Sequence, residues 1–327
     1  MTQRISLKQF AEKYELSNKH PLKVIFVEKD YEEEEAERVF GNYIDRNDPK
    51  NNFVEGSAFI SVSRSSERFN FVINSLEGIS TLPVEYKGKR ITLGGVPKLI
   101  FLCGFNEISE LPGEFNVMTN LFSVFLKNNK IVRLPENIPP IARIYFTGNL
   151  LTNIPENVFH TNLEKLSLSE NTLNRISPSI GKCSKLMHFD INAVGIDQLP
   201  ETISSCQKLR VFSAMNNNLL NIPSSFVQNV PVVNEIRLDN NPNLKEIPYK
   251  SGYAWGRMTA TLSINGTSIN LSNLHPDLQK HIVSSDGTEQ PKPDKDKNKD
   301  KGKDKGKDKD KNKGKDKDKG KDKNKTK

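Results

Sequence analysis

Between residues 98 and 270 apolar positions return in one fixed order, framed as L-x-x-L-x-L-x-x-N-x-L-x-x-L. The cleanest copy is Leu163, Leu166, Leu168, Asn171, Leu173, Ile176. The same frame fits Leu121/Val124/Leu126/Asn129/Ile131/Leu134, Ile141/Ile144/Phe146/Asn149/Leu151/Ile154, Leu186/Phe189/Ile191/Val194/Ile196/Leu199 and Leu209/Phe212/Ala214/Asn217/Leu219/Ile222. Phe101, Cys103, Asn106, Ile108 and Leu111 precede the series, and Val233, Ile236, Leu238 and Asn241 follow it, with Leu244 and Ile247 displaced by one inserted residue. The last anchor of each copy recurs every 20 to 25 residues, a period that belongs to a repeating coil of chain. Within a coil the alternation at L-x-L predicts a short strand whose third and fifth template positions point outward. Stacked strands then form a parallel sheet, and each coil buries its apolar face against its neighbours.

The ninth position is Asn in Asn106, Asn129, Asn149, Asn171, Asn217 and Asn241. It sits where the chain leaves the strand, and a buried turn needs partners for its backbone groups. A carboxamide donates and accepts at once, so a column of them can serve a column of turns. Val194 interrupts the column, and Gly195 beside it would permit a changed backbone path. Pro follows the anchor at Pro112, Pro135, Pro155, Pro200, Pro223 and Pro248, which ends any strand there and opens an irregular or short helical return segment.

These residues resemble the leucine-rich repeat family, in particular its intracellular Ras-suppressor type with an LPxxI turn and a repeat of roughly 23 residues. The shorter copy ending Leu134-Pro135 and running to Pro140 is similar to the repeats of bacterial effector proteins. The resemblance implies an α/β solenoid with a curved parallel sheet on its concave face and an irregular or short helical convex side. It implies a binding surface without naming the partner, because this architecture hosts many unrelated functions.

The flanks read differently. Residues 1–66 are expected to cap the solenoid, with Ser6 as a helix cap and Leu7, Phe10, Ala11 and Tyr14 on one face. Residues 67–97 read as a degenerate first repeat, since Ile79 and Leu82-Pro83 hold the late positions while the strand is out of frame. Residues 271–290 form a C-terminal cap and linker, and residues 291–327 hold only Lys, Asp, Asn, Gly, Pro and one Thr. Such a tail has nothing to bury and is expected to be disordered. It carries 18 Lys and 9 Asp, so removing its +9 from the formal charge of +8 leaves the body near −1. The basicity therefore belongs to the tail, and weak contact with nucleic acid or an anionic membrane is an expectation for that segment alone.

Residues 1–10 contain Arg4 and Lys8 and no continuous apolar run, which argues against a secretory leader. With three cysteines and no paired-cysteine caps, cytoplasmic or otherwise intracellular residence is expected. Cys183 and Cys206 share a template position in adjacent coils, so they are either two packed thiols or a pair within disulfide range.

Chemistry is sparse. His188 and Asp190 lie at outward positions of one strand, with Ser167 and Ser213 on its neighbours, but parallel side chains on a flat sheet give poor base-to-nucleophile aim. No cofactor loop or metal-ligand set accompanies them, so the chain reads as non-enzymatic. The informative column is the fifth position: Leu102, Phe125, Tyr145, Ser167, Asp190, Ser213, Arg237, Ser263. Its apolar half, with Phe105, Lys127, Arg143 and Lys165 around it, has the aromatic and cationic makeup of a protein-binding anchor. A monomer that docks a protein partner there is the favoured reading; contact with the N-terminal cap is the competing one.

Overall fold

The computed structural model describes residues 3–9, 25–26, 58–61, 71–86, 89–229, 233–249 and 261–283. The acidic run at 28–37, the loop at 47–52 and the tail from residue 291 lie outside them, as do Phe10, Ala11 and Tyr14.

Each repeat contributes one strand. In chain order these are β1 (Gln3–Ser6), β2 (Ile25–Phe26), β3 (Ala58–Ser61), β4 (Phe71–Ser75), β5 (Pro83–Tyr86), β6 (Lys89–Thr92), β7 (Leu99–Leu102) and β8 (Leu121–Phe125). They continue with β9 (Arg143–Tyr145), β10 (Lys165–Ser167), β11 (His188–Asp190), β12 (Val211–Ser213), β13 (Glu235–Arg237), β14 (Thr261–Ser263) and β15 (Ile282–Val283). From β7 to β15 the strands pair in sequence order, all parallel, without a crossover. The register keeps equal template positions side by side: Arg143 against Lys165 against His188, and Tyr145 against Ser167 against Asp190. This is the parallel solenoid that the 20 to 25 residue period predicts.

The template's apolar positions form one continuous core. Leu163, Leu166, Leu168 and Leu173 are buried, as are their counterparts coil by coil. Each such side chain contributes roughly 1.5–3 kcal/mol by leaving water. The return segments are short 3-10 turns, at Gly113–Val117, Glu156–Val158, Pro178–Lys182 and Glu201–Ser205, and one α-helix, α1 (Ser224–Asn229). Pro112, Pro155 and Pro200 sit immediately before their turns, where a missing N–H costs nothing. The 20-residue coil has no 3-10 helix after Pro135, only a turn at Glu136 and Asn137 before Pro140.

The Asn column behaves as its chemistry requires. Asn171 Oδ1 accepts the Leu151 N–H at 2.9 Å, while its Nδ2 donates to the carbonyls of Leu168 at 2.7 Å and Phe146 at 3.0 Å. Asn129, Asn149 and Asn241 repeat the arrangement, and Asn106 Oδ1 likewise accepts the Ile73 N–H. At the break, Asn217 Oδ1 gathers three N–H groups, from Val194, Gly195 and Ile196. Gly195 sits at φ 84° and Asn174 at φ 59°, so the backbone is rerouted while the Val194 side chain joins the core.

Two features depart from the sequence frame. The strand of the degenerate first repeat is β3, which pairs parallel with β7, so it lies at 58–61 rather than within 69–82. The segment 71–75 instead forms β4, paired with β1, and its Ile73 N–H already enters the Asn column through Asn106 Oδ1 at 2.9 Å. The insertion between β3 and β4 hides this coil, because template spacing no longer registers across it. At the chain start, Ser6 Oγ accepts the Gln9 N–H at 3.1 Å and Gln9 Oε1 accepts the Ser6 N–H at 2.9 Å, a reciprocal capping box. The other end is closed by α2 (Pro276–Gln279), where Tyr249 donates its hydroxyl to Asp277 at 2.6 Å and stacks on His275 at 3.7 Å.

Candidate functional site

The third and fifth template positions line one face of the sheet because inward and outward positions alternate along each strand. Phe125 and Tyr145 meet there as a flat stack, ring centroids 4.1 Å apart and planes 6° from parallel. Lys127 lies over the Tyr145 ring at 5.6 Å, a cation–π contact. Arg143, two residues before Tyr145, places its guanidinium 4.9 Å over Phe122 and donates from Nε to Glu164 at 3.1 Å.

The expected patch is therefore assembled, but it is not the open surface that outward alternation implies. Phe125 and Tyr145 are only 7% and 3% exposed, and Leu102, Arg143 and Lys165 are buried as well. The two rings cover one face of each other, and Lys127 lies over the Tyr145 ring. Lys127 is half-buried, and Phe105 alone of the seven candidates stands clear, at 54% exposure.

Phe105 occupies a position that sequence reading undervalued. The eighth template residue has positive φ in every coil: Phe105, Asn128, Gly148, Glu170, Ala193, Asn216, Asn240 and Gly266. Left-handed backbone suits Gly and Asn, and a bulky ring there is costly. The signal was available in the column's own composition, with two Gly and three Asn among its eight members.

Beyond the aromatic stack the face turns polar. A cavity of about 240 Å3 is bordered by Tyr145, Lys165, His188, Asp190, Glu235 and Arg237. Glu235 and Arg237 are ion-paired with each other. A second ladder, unforeseen in the sequence, runs along the seventh position: Ser169 Oγ accepts the Asn192 N–H, Asn192 Oδ1 accepts the Met215 N–H, and Asp239 Oδ1 accepts the Asn265 N–H, at 2.8–3.0 Å.

The Ser, His and Asp side chains do share this region, without a nucleophile's geometry. Ser167 Oγ shares a hydrogen bond with Thr147 Oγ1 at 2.7 Å, and Ser213 Oγ donates to Asn192 Oδ1 at 2.6 Å. Among the described residues no group of three His, Cys, Asp or Glu side chains could hold a metal ion. Cys183 and Cys206 are free, buried thiols, each pushed up to about 12 by burial. Among the described residues no helix is long and apolar enough to cross a membrane.

Relatives carry the same architecture. The chain is 24% identical to lumican of Coturnix japonica over 277 residues, covering 74% of this chain and 79% of lumican. It is 25% identical to osteomodulin of Bos taurus over 144 residues, which is 42% of this chain and only 33% of osteomodulin's length. Among solved structures, an internalin (inlF) from Listeria monocytogenes superposes with a TM-score of 0.52 at 18% identity, covering 68% of this chain and 59% of the internalin. The fold is the leucine-rich repeat solenoid. No protein-family profile matches the chain.

Proposed function

We propose that this leucine-rich repeat chain is a non-enzymatic, monomeric interaction module that docks a protein partner at the N-terminal half of its concave face, with Phe105 as the exposed anchor. The observation that carries the reading is the cost of Phe105. A large apolar ring, more than half exposed, is kept in left-handed backbone at a position where Gly or Asn would be easier. It returns little packing energy, which leaves recognition as its use. Lys127, whose carbonyl accepts the Phe105 N–H at 2.8 Å, joins Phe105 to the buried Phe125–Tyr145 stack, which stands on the same face as Leu102, Arg143 and Lys165.

The LPxxI turns support a place among the intracellular, Ras-suppressor-like repeats, and three reduced, buried cysteines suit a reducing compartment. A photo-crosslinking phenylalanine analogue at position 105 tests the docking site. A discrete protein adduct, competed by excess unlabelled chain, is expected; adducts that excess chain does not compete would refute specific docking there.

A second reading, the tether, rests on the 18 lysines of residues 291–327. In it the tail holds the chain near nucleic acid or an anionic membrane and the repeats are secondary. Nine interleaved Asp residues halve the tail's charge and no aromatic is present for base stacking, which ranks this reading second.

A further inference from the structure

We infer that the groove along the leading edge of the sheet, between Lys98 and Lys185, binds an extended peptide segment of the pattern acidic-x-apolar-x-acidic. The site is separate from the docking surface above: Phe105 follows the end of β7, whereas the residues lining the groove precede or open their strands.

The groove is a gap in a column. Ser123, Arg143 and Lys165 pair in register, so the residues before them, Phe122, Ala142 and Glu164, stand side by side at the edge of the sheet. Ala142 is the short member, and the coil leading to it has only a turn where its neighbours carry 3-10 helices. An open cavity of about 440 Å3 lies there, with Leu121, Pro140 and Ala142 in its apolar lining. Lys98, held in left-handed backbone at φ 43°, places Nζ 4.8 Å from the centre of the Phe122 ring on β8. From the other end, Lys185 Nζ donates to Asn162 Oδ1 at 2.9 Å, beside β10. Two strand spacings separate these places, so the ammonium groups stand roughly 10 Å apart with the gap between them. Both partners are neutral, and among the described residues neither lysine is ion-paired. Lys185 and Asn162 are exposed and Lys98 is half-buried, so both charges are within reach of a ligand. The stretch between them selects its chemistry. A carboxylate at each end answers a lysine, and an apolar side chain fits over Pro140 and Ala142. Glu164 on the wall is already paired with Arg143 at 3.1 Å, so it disfavours a third anion in the middle, which a continuous polyanion would place there. In an extended peptide residues i, i+2 and i+4 share one face, and the outer two lie roughly 13 Å apart, a span that two flexible lysines can meet.

Fluorescence anisotropy on the full chain at physiological ionic strength tests the site, with a labelled peptide acetyl-Ala-Glu-Ala-Val-Ala-Glu-Ala-amide and its counterpart carrying lysine for both glutamates. The parent should bind the glutamate peptide. In Lys98→Glu/Lys185→Glu that binding should fall at least tenfold while binding of the lysine peptide appears. Moving the second glutamate by one residue turns it to the other face and should weaken binding to the parent at least threefold. The Lys-rich tail is the same in every variant and reads charge without spacing, so it gives neither effect. If the double variant melts lower than the parent, Lys185→Gln at an exposed side chain supplies the reading, with affinity down at least fivefold. No binding by the parent, binding unchanged by the lysine substitutions, or equal binding of the shifted peptide overturns the site. The crosslink at position 105 is decided separately, at the opposite ends of the strands.

Discussion

Asn171 bonds to backbone groups of two coils, so its loss strands several buried polar groups together. Asn171→Val should cost about 1–3 kcal/mol, the usual penalty for leaving such groups unpaired, measurable by urea denaturation. A neutral result would refute the column's structural role. The column was legible in the sequence because Asn recurs at one spacing; the seventh-position ladder was not, since Ser169, Asn192 and Asp239 share a function without sharing a residue type. Gly148 shows a similar limit. Its φ is +69°, and a Cβ would fall 2.1 Å from Asn128 Oδ1, a neighbour one coil away that no local motif reveals. Gly148→Ala should lose about 1–2 kcal/mol for the left-handed backbone alone. In an Asn128→Ala background the side-chain clash disappears and only that backbone part should remain. His160 gives a pH signature. Burial holds its pKa below the ordinary 6.5, so the unfolded chain binds the proton more readily than the folded one. Stability should be full above about pH 6.5 and fall as pH drops through the folded value, and His160→Gln should flatten that slope.

At the scale of elements, alternation along each strand speaks to facing and not to accessibility. Phe125 and Tyr145 lie outside the continuous apolar core, yet both are buried. A charge placed at either would be buried, so Phe125→Asp or Tyr145→Asp should destabilise the sheet itself by several kcal/mol and cannot report on docking cleanly. The rerouted turn at Val194 is an element-level accommodation that the sequence flagged through Gly195. A Cβ there would meet only Asn174 Oδ1 at 3.8 Å, so Gly195→Ala should cost about 1–2 kcal/mol through backbone strain rather than through a clash. Thermal melting of that variant beside Gly148→Ala in the Asn128→Ala background should give similar losses.

For the molecule as a whole, periodicity located the solenoid because every coil repeats the same burial problem, while the flanks escaped it because their residues do not repeat the frame. The strand at 58–61 is the instructive case: it belongs to the main sheet, but an insertion separates it from the rest of its coil. Charge partition was readable directly, and it predicts that any affinity for DNA or anionic lipid falls steeply with salt and disappears from a chain ending at Gln290. Binding of DNA or anionic vesicles by that shortened chain would move the basic site into the repeats. The central claim, that the repeats exist to dock a protein through Phe105, is tested most directly by Phe105→Gly, with partner capture and unfolding free energy measured on the same preparation. Gly suits the φ of 57° and little buried surface is lost, so stability should hold or rise by about 1 kcal/mol while capture falls at least tenfold. Capture equal to that of the parent chain, with the fold intact, would contradict the account.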